Sequence, residues 1–97
     1  MKKLNLDDVV VTNNEARHQF EAEANGSVAV SKYMLAGGRV IFTHTEVPPE
    51  LEGQGIAGKL IRTALEHART EGLAVWPVCP FVRSYLERHP EYQDLVS

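Results

Sequence analysis

Two apolar segments separated by a long amphipathic one constrain the fold of this chain most strongly. Residues 39–47 read as a β-strand, and residues 55–71 repeat apolar side chains at the helical period of ~3.6 residues. Residues 73–78 then form a nearly continuous apolar run, which is typical of an interior strand. A strand that leads through a helix to a parallel strand forms a right-handed crossover. The second half therefore predicts a β-α-β unit, and ligands of such units gather at the carboxyl ends of the strands.

The first half of the sequence predicts an antiparallel meander. Residues 9–11, 17–22 and 28–35 read as short strands in which apolar and polar side chains tend to alternate. Three dipeptides are predicted to supply the turns between strands, namely Asn13-Asn14, Asn25-Gly26 and Gly37-Gly38. The last two favour tight hairpins, because they tolerate positive φ. These strands lead directly into the fourth strand, which begins the crossover.

A short helix is predicted near the end of the chain, from about Phe81 to Arg88. Pro80 suits the first turn of a helix, and Pro90 stops one. Together the elements give an α+β fold with a mixed sheet, in which Trp76 is expected in the core. The 97 residues are predicted to form a single domain, 1–97, because a chain of this length supports one hydrophobic core.

The composition is that of an ordinary globular domain, with 43% hydrophobic and 24% charged residues. The net charge of −3 leaves no basic surface for nucleic acid, so we expect no nucleic-acid partner. No apolar run reaches the ~18 residues of a membrane span, and we expect no membrane association. Cys79 is the only cysteine, which excludes an intramolecular disulfide and fits a reducing compartment. We therefore expect a cytoplasmic protein.

Residues 52–59 form a glycine-rich turn at the start of the long predicted helix. Closely spaced glycines let an anion approach the backbone, and the first amides of a helix lack intrahelical acceptors. Gly53, Gly55 and Gly58 fit the dinucleotide pattern G-x-G-x-x-G, and Gly53 with Gly58-Lys59 nearly completes a nucleoside-triphosphate loop. The turn is therefore predicted to bind a phosphate.

One feature disfavours the triphosphate pattern, and two others disfavour the dinucleotide pattern. Leu60 occupies the position at which a triphosphate loop supplies a hydroxyl to magnesium. Pro48-Pro49 separates the glycines from the preceding strand, and Val78 stands where a dinucleotide site has its acidic residue. A third pattern, the pyrophosphate turn of coenzyme A enzymes, is the remaining alternative.

Several segments resemble the GNAT-type N-acetyltransferase superfamily, and most closely a small branch of it. They are Thr43–Val47, Glu52–Ala57, and Cys79–Phe81 together with His89–Tyr92. The resemblance implies acetyl-CoA or coenzyme A as cofactor, with its pyrophosphate held by backbone amides of the turn. It also implies that the fourth and fifth strands splay apart to admit the pantetheine arm. The cofactor-binding residues that follow are Thr45, Val47, Gly53, Gln54, Gly55, Ile56, Ala57, Gly58 and Lys59.

Acetyl transfer needs a base for the acceptor amine and an acid for the leaving thiolate. His44 and Glu46 are the base candidates, because residues two apart on a strand share a face and lie ~6.5 Å apart. The alternative is that both are ordinary surface groups. Tyr85 falls near the tyrosine that many superfamily members use as the acid, although its helical spacing also suits a core position.

Cys79 is a candidate nucleophile at the end of the fifth predicted strand. It directly precedes a helix that begins with proline, and helix N-termini favour the thiolate form of cysteine. This position suggests an acetyl-cysteine route with His44 as its base. The alternative is a buried and inert cysteine.

The leading prediction is an acetyl-CoA-dependent N-acetyltransferase that acts on an unidentified small-molecule or protein amine, directly or through Cys79. The alternative is a CoA or acyl-CoA binding module without catalytic activity. The resemblance implies helices after the first strand that shape the acceptor site, and nothing between Val11 and Arg39 supplies them, so the site would be open or completed by a partner such as a second copy in a homodimer. A third possibility is an interaction protein whose open sheet pairs with a copy of itself. His18, His67 and His89 lack ligand spacing, and no metal site is predicted.

Overall fold

The computed structural model of this protein describes residues 4–96. Its elements are β1 (Val10–Asn14), β2 (Gln19–Ala24), β3 (Ser27–Ala36), β4 (Arg39–Glu46), α1 (Ile56–Thr70), β5 (Ala74–Pro77) and α2 (Pro80–Arg88), with short 3-10 helices at Leu6–Asp8, Pro49–Leu51 and Pro90–Leu95. The strands form one sheet in the order β1-β2-β3-β4-β5. β1 to β4 are antiparallel neighbours, and β5 lies parallel to β4.

This architecture confirms the predicted α+β fold, with an antiparallel meander, a β4-α1-β5 crossover and a short helix after it. The largest difference in bounds is at β1, which was predicted to end at Val11 before a turn at Asn13-Asn14. That turn was wrong, because both asparagines pair within the sheet and the chain turns at residues 15–18. β1 continues to Asn14 because its pairing with β2 extends to Gln19. No helix among residues 4–96 combines the length and the apolar character that a bilayer span requires.

β5 is an edge strand, and the prediction of an interior strand was wrong. Among residues 4–96 it pairs with β4 on one side, while Val75 makes a single parallel bridge to Val96 on the other. Trp76 was expected in the core but is 41% exposed. The guanidinium carbon of Arg39 lies 4.7 Å from the centroid of its ring. The guanidinium group of Arg39 therefore packs on the Trp76 ring, in place of the apolar core residues that were expected to cover it.

One buried cluster joins both helices to a single face of the sheet. We call this the helix-covered face, and β3 shows how it alternates with the other, open face. Ala29, Ser31 and Tyr33 are buried, whereas Lys32 and Met34 are exposed. α1 adds a stripe of buried side chains, which are Ile56, Leu60, Ile61, Ala64, Leu65 and Ala68.

A β-bulge interrupts the pairing of β3 with β4. Tyr33 pairs with Phe42, but the neighbouring residue Lys32 pairs with His44. Thr43 is therefore an extra residue on β4, and such a residue shifts the alternation of the strand that contains it.

The bulge decides which face each later side chain of β4 occupies. Phe42, before the bulge, is fully buried on the helix-covered face. Thr45, after the bulge, pairs with the buried Ser31 and therefore lies on the same face as Phe42. His44 and Glu46 alternate with Thr45 and project from the open face, where both are exposed.

Candidate functional site

β4 and β5 separate at their carboxyl ends. Their pairing ends at Phe42 and Pro77, where the amide of Cys79 donates to the carbonyl of Phe42 at 2.8 Å. Residues 43–46 of β4 continue beside β3, while the chain beyond Pro77 turns into α2. The pairing of the two parallel strands therefore ends at the side of the sheet where crossover units bind ligands, and we call the region between the diverging segments the gap.

The glycine turn lies beside this gap, between β4 and α1. Gly53 and Gly55 have φ values of 75° and 82°, which side-chain-bearing residues rarely adopt. Gly55 directly precedes α1, and no side chain caps the helix there. The first amides of α1 therefore lack partners within the helix and are suited to an anion such as phosphate.

A cavity of about 630 Å³ runs along the turn from the end of β4 to α2, a volume in the usual range for small-molecule sites. Most of the predicted cofactor-binding residues line it, namely Val47, Gly53, Gly55, Ile56, Ala57 and Gly58. The other lining residues are Leu51, Glu52, Phe81, Tyr85, Arg88 and His89.

Sequence reasoning did not assign Phe81, Arg88 or His89 to this cavity. Together with Tyr85 they lie at intervals of four, three and one residues, so they form a single stripe along α2 and its C-terminal end. The spacing is visible in the sequence. Its significance depends on which side of α2 faces the glycine turn, and local sequence does not specify that.

Thr45 and Gln54 were predicted to bind cofactor, but other parts of the chain hold their side chains. The side-chain Nε2 of Gln54 donates to the backbone carbonyl of Glu50 at 2.9 Å. Thr45 Oγ1 lies 3.2 Å from Ser31 Oγ. Any contact of Thr45 or Gln54 with cofactor through backbone groups stays a prediction.

Lys59 connects the N-terminal segment to α1. Its ammonium donates to the carbonyls of Leu6 at 2.5 Å and Val9 at 2.7 Å. Leu6 also packs over the turn, because a Cβ added to Gly55 would lie 2.9 Å from Leu6 Cδ1. The structure therefore gives Lys59 a role in packing, and its predicted contact with cofactor stays a prediction.

Cys79 is buried between β4 and α2, with 3% of its surface exposed. Its Sγ atom lies 3.4 Å from Thr45 Oγ1, within hydrogen-bonding distance for sulfur. Cys79, Thr45 and Ser31 thus form a short polar row on the helix-covered side of the gap. The partner of the thiol is a hydroxyl group, and the predicted pairing of Cys79 with His44 is not formed.

His44 and Glu46 contact each other on the open face, where their side chains are 56% and 62% exposed. His44 Nε2 lies 3.1 Å from Glu46 Oε1, so the two side chains share a face as predicted. Because Thr45 lies between them and points to the opposite face, the pair and Cys79 flank the gap from different sides.

Tyr85 is buried, and its ring stacks on that of His89 with centroids 3.9 Å apart. Burial raises the pKa of Tyr85, while the positive charges of Arg62 and Arg88 act in the opposite direction. The core position that its spacing suggested is confirmed. Its ring also borders the cavity, and its role as an acid stays a prediction.

A mixed sheet whose parallel strands separate beside a glycine-rich helix start is the architecture of a GNAT-type acyltransferase. A family model described as GCN5-related N-acetyl-transferase matches residues 19–95. The chain therefore belongs to the GCN5-related N-acetyltransferase family.

Individual relatives extend this likeness to nearly the whole chain. Protein NATD1 from Gallus gallus is 33% identical over 90 residues, which cover 90% of this chain and 82% of that protein. Protein NATD1 from Mus musculus is 34% identical over 88 residues, covering 88% and 80%. An NMR solution structure of a GCN5-like candidate N-acetyltransferase from Staphylococcus aureus has a TM-score of 0.71 at 29% identity, and the match covers 100% of this chain and 91% of that one.

Proposed function

We propose that this protein transfers an acetyl group from acetyl-CoA to an amine. The observation that carries the proposal is the cavity of about 630 Å³ along the glycine turn, which lies beside the point where β4 and β5 cease to pair. The turn supplies backbone amides for a pyrophosphate, and the proposal places the pantetheine arm between the diverging strands, beside the 3.4 Å contact of Thr45 Oγ1 with Cys79 Sγ. The positive φ of Gly53 and Gly55 supports this fit, because a side chain at either position would strain the backbone that presents those amides.

The geometry favours direct transfer on the open face of the sheet. His44 or Glu46, directly or through water, removes a proton from the acceptor nitrogen, which then attacks the thioester carbonyl. A carbon–nitrogen bond forms as the carbon–sulfur bond breaks, and the CoA thiolate takes up a proton. Water can supply that proton, because Tyr85, the donor that the family resemblance implied, borders the cavity beside Gly58, where the pyrophosphate is proposed to bind.

Cys79 offers a second route on the helix-covered face. Its sulfur attacks the thioester to form acetyl-cysteine, and the thiol proton passes to the departing CoA sulfur. An amine then takes the acetyl group and restores the Cys79 thiol. Thr45 Oγ1, 3.4 Å from Sγ, is the neighbouring group that can orient the sulfur.

A CoA-binding module without catalytic activity is the second candidate function. Two observations favour it, namely the burial of Cys79 and the exposure of His44 and Glu46 on a face that neither α1 nor α2 covers. An acceptor bound there would need walls from outside this part of the chain. A second copy of the protein, as predicted for a homodimer, is one source of such walls.

Two measurements separate the candidates. Calorimetric titration with acetyl-CoA measures binding, and release of free thiol with a panel of primary amines measures turnover. We expect acetyl-CoA to bind, and we expect at least one amine to accelerate thiol release, with the acceleration lost in Glu46→Gln. Binding without release for any amine would support the binding module, and no heat with acetyl-CoA or CoA would exclude both functions.

A further inference from the structure

Two arginine side chains lie near the buried Tyr85 at one end of the cavity. Arg62 projects from α1 and Arg88 from α2, and both are exposed. Arg62 lines one cavity with Tyr85 and His89, and Arg88 lines the adjoining cavity with the same two residues, so both arginines lie beside the Tyr85–His89 stack. Two helices therefore bring positive charge to one place in a chain whose net charge is −3.

These guanidinium groups are not used by the fold. Among residues 4–96, neither Arg62 nor Arg88 donates a side-chain hydrogen bond or forms an ion pair. Arg69 and Arg83 differ, because Arg69 pairs with Asp94 at 2.8 Å and Arg83 donates to the carbonyl of Val78 at 3.3 Å. The donors of Arg62 and Arg88 therefore stay available to a ligand.

The candidate cofactor groove reaches both arginines. The cavity along the glycine turn includes Arg88, and a second cavity of about 340 Å³ includes Arg62. The two cavities share Gly55, Gly58, Tyr85 and His89 in their linings, so they meet across the first turn of α1. The groove thus continues from the end of β4, past the amides of the turn, to an end where Arg62 and Arg88 provide two positive charges and Asp7 one negative charge.

We propose that Arg62 and Arg88 form a second phosphate subsite, which binds the ribose phosphate of coenzyme A. This inference rests on the proposed function, in which the amides of the turn hold the pyrophosphate. Coenzyme A carries a further monophosphate on its ribose, beyond the pyrophosphate, and guanidinium groups match the geometry of phosphate oxygens. Lys59 is not part of this subsite, because its ammonium already donates to the Leu6 and Val9 carbonyls.

The subsite would make the protein select coenzyme A over dephospho-CoA, which differs only in lacking that phosphate. Calorimetry measures the affinities for coenzyme A and for dephospho-CoA. The proteins compared are the wild-type chain, Arg62→Gln, Arg88→Gln and the double variant. Arg83→Gln is the control, because Arg83 lies on α2 outside both cavities that form the groove.

We expect the wild-type chain and Arg83→Gln to bind coenzyme A on the order of 10-fold more tightly than dephospho-CoA. The preference falls in each arginine variant and disappears in the double variant, with the affinity for dephospho-CoA unchanged. It also shrinks as salt rises, because exposed charges are screened. Equal wild-type affinity for the two compounds, or a double variant that keeps the preference, overturns the subsite and leaves the proposed function intact. Failure of the wild-type chain to bind either compound removes the proposed function itself.

Discussion

His44 and Cys79 lie on opposite faces of the sheet, although the sequence suggested that they act together. Thr43 bulges from β4, and the alternation of the strand then places Thr45, rather than His44, on the side of Cys79. His44 pairs instead with Glu46. The two candidate chemistries of this protein are therefore separated in space, and variants can test them independently.

Replacing His44 with glutamine is expected to slow amine-stimulated thiol release on the order of 10²-fold, because general-base catalysis contributes at least that much. The affinity for acetyl-CoA should stay unchanged, since His44 lies on the open face away from the cavity. Lys32→Gln is the matched control, because Lys32 is exposed on the same face and pairs with His44 across the strands. Equal rates in His44→Gln and Lys32→Gln would exclude His44 as the base.

Cys79→Ser is expected to change thiol release by no more than about twofold, because the direct route does not use the thiol. Serine keeps a hydrogen-bonding group beside Thr45, so the buried polar row retains a partner at this position. Mass spectrometry of the wild-type chain after incubation with acetyl-CoA provides the second readout. An acetyl group on Cys79, together with loss of turnover in Cys79→Ser, would instead establish the covalent route.

Two glycines of the turn should respond in opposite ways to alanine. Gly55→Ala is expected to lower the free energy of unfolding by about 1–2 kcal/mol, because Gly55 has a φ of 82° that L-residues avoid. The added Cβ would also lie 2.9 Å from Leu6 Cδ1, so the Leu6 side chain must shift.

Gly58→Ala is the matched comparison for the free energy of unfolding, because Gly58 lies three residues after Gly55. Gly58 lies inside α1, and an added Cβ there would lie 3.9 Å from Tyr85 Cε2, an ordinary contact. We expect Gly58→Ala to raise the free energy of unfolding by about 0.5–1 kcal/mol, because alanine favours helix more than glycine does. Urea unfolding measures both variants, and equal effects would contradict the backbone argument.

Tyr92 should make the protein less stable at alkaline pH. Its hydroxyl donates to Glu66 Oε2 at 2.6 Å, and burial together with that carboxylate raises the pKa of Tyr92 from 10.0 to about 12. Because the folded state holds the proton more tightly, this stabilisation is complete below pH 10 and is lost as the pH rises toward 12.

The test is the slope of unfolding free energy against pH in the wild-type chain and in Tyr92→Phe. We expect a shallower decline above pH 10 in the variant, which has no hydroxyl to titrate. Burial also raises the pKa of Tyr33 and Tyr85, so part of the decline should persist. Identical slopes in the two proteins would show that Tyr92 does not control this pH dependence.

Local patterns were sufficient for most of the fold. The apolar period of residues 55–71 predicted α1, and the dipeptides Asn25-Gly26 and Gly37-Gly38 predicted the hairpins, because each pattern reflects backbone preferences of nearby residues. The glycine turn was located in the same way, since positive φ at Gly53 and Gly55 is a local requirement. The family resemblance added the splayed strands to these local predictions.

The positions of the candidate catalytic side chains depended on the tertiary structure. Alternation along β4 predicts that His44 and Glu46 share a face, but the face that they occupy depends on the bulge at Thr43, which the pairing with β3 creates. Trp76 is exposed because β5 ends the sheet, and Lys59 is held by carbonyls about 50 residues earlier in the chain. The sequence by itself determined where the chain turns and which segments are helix or strand, because those choices are made over a few neighbouring residues. Only the tertiary structure decided which side chains meet across the gap, because strand register and helix docking are set by distant partners.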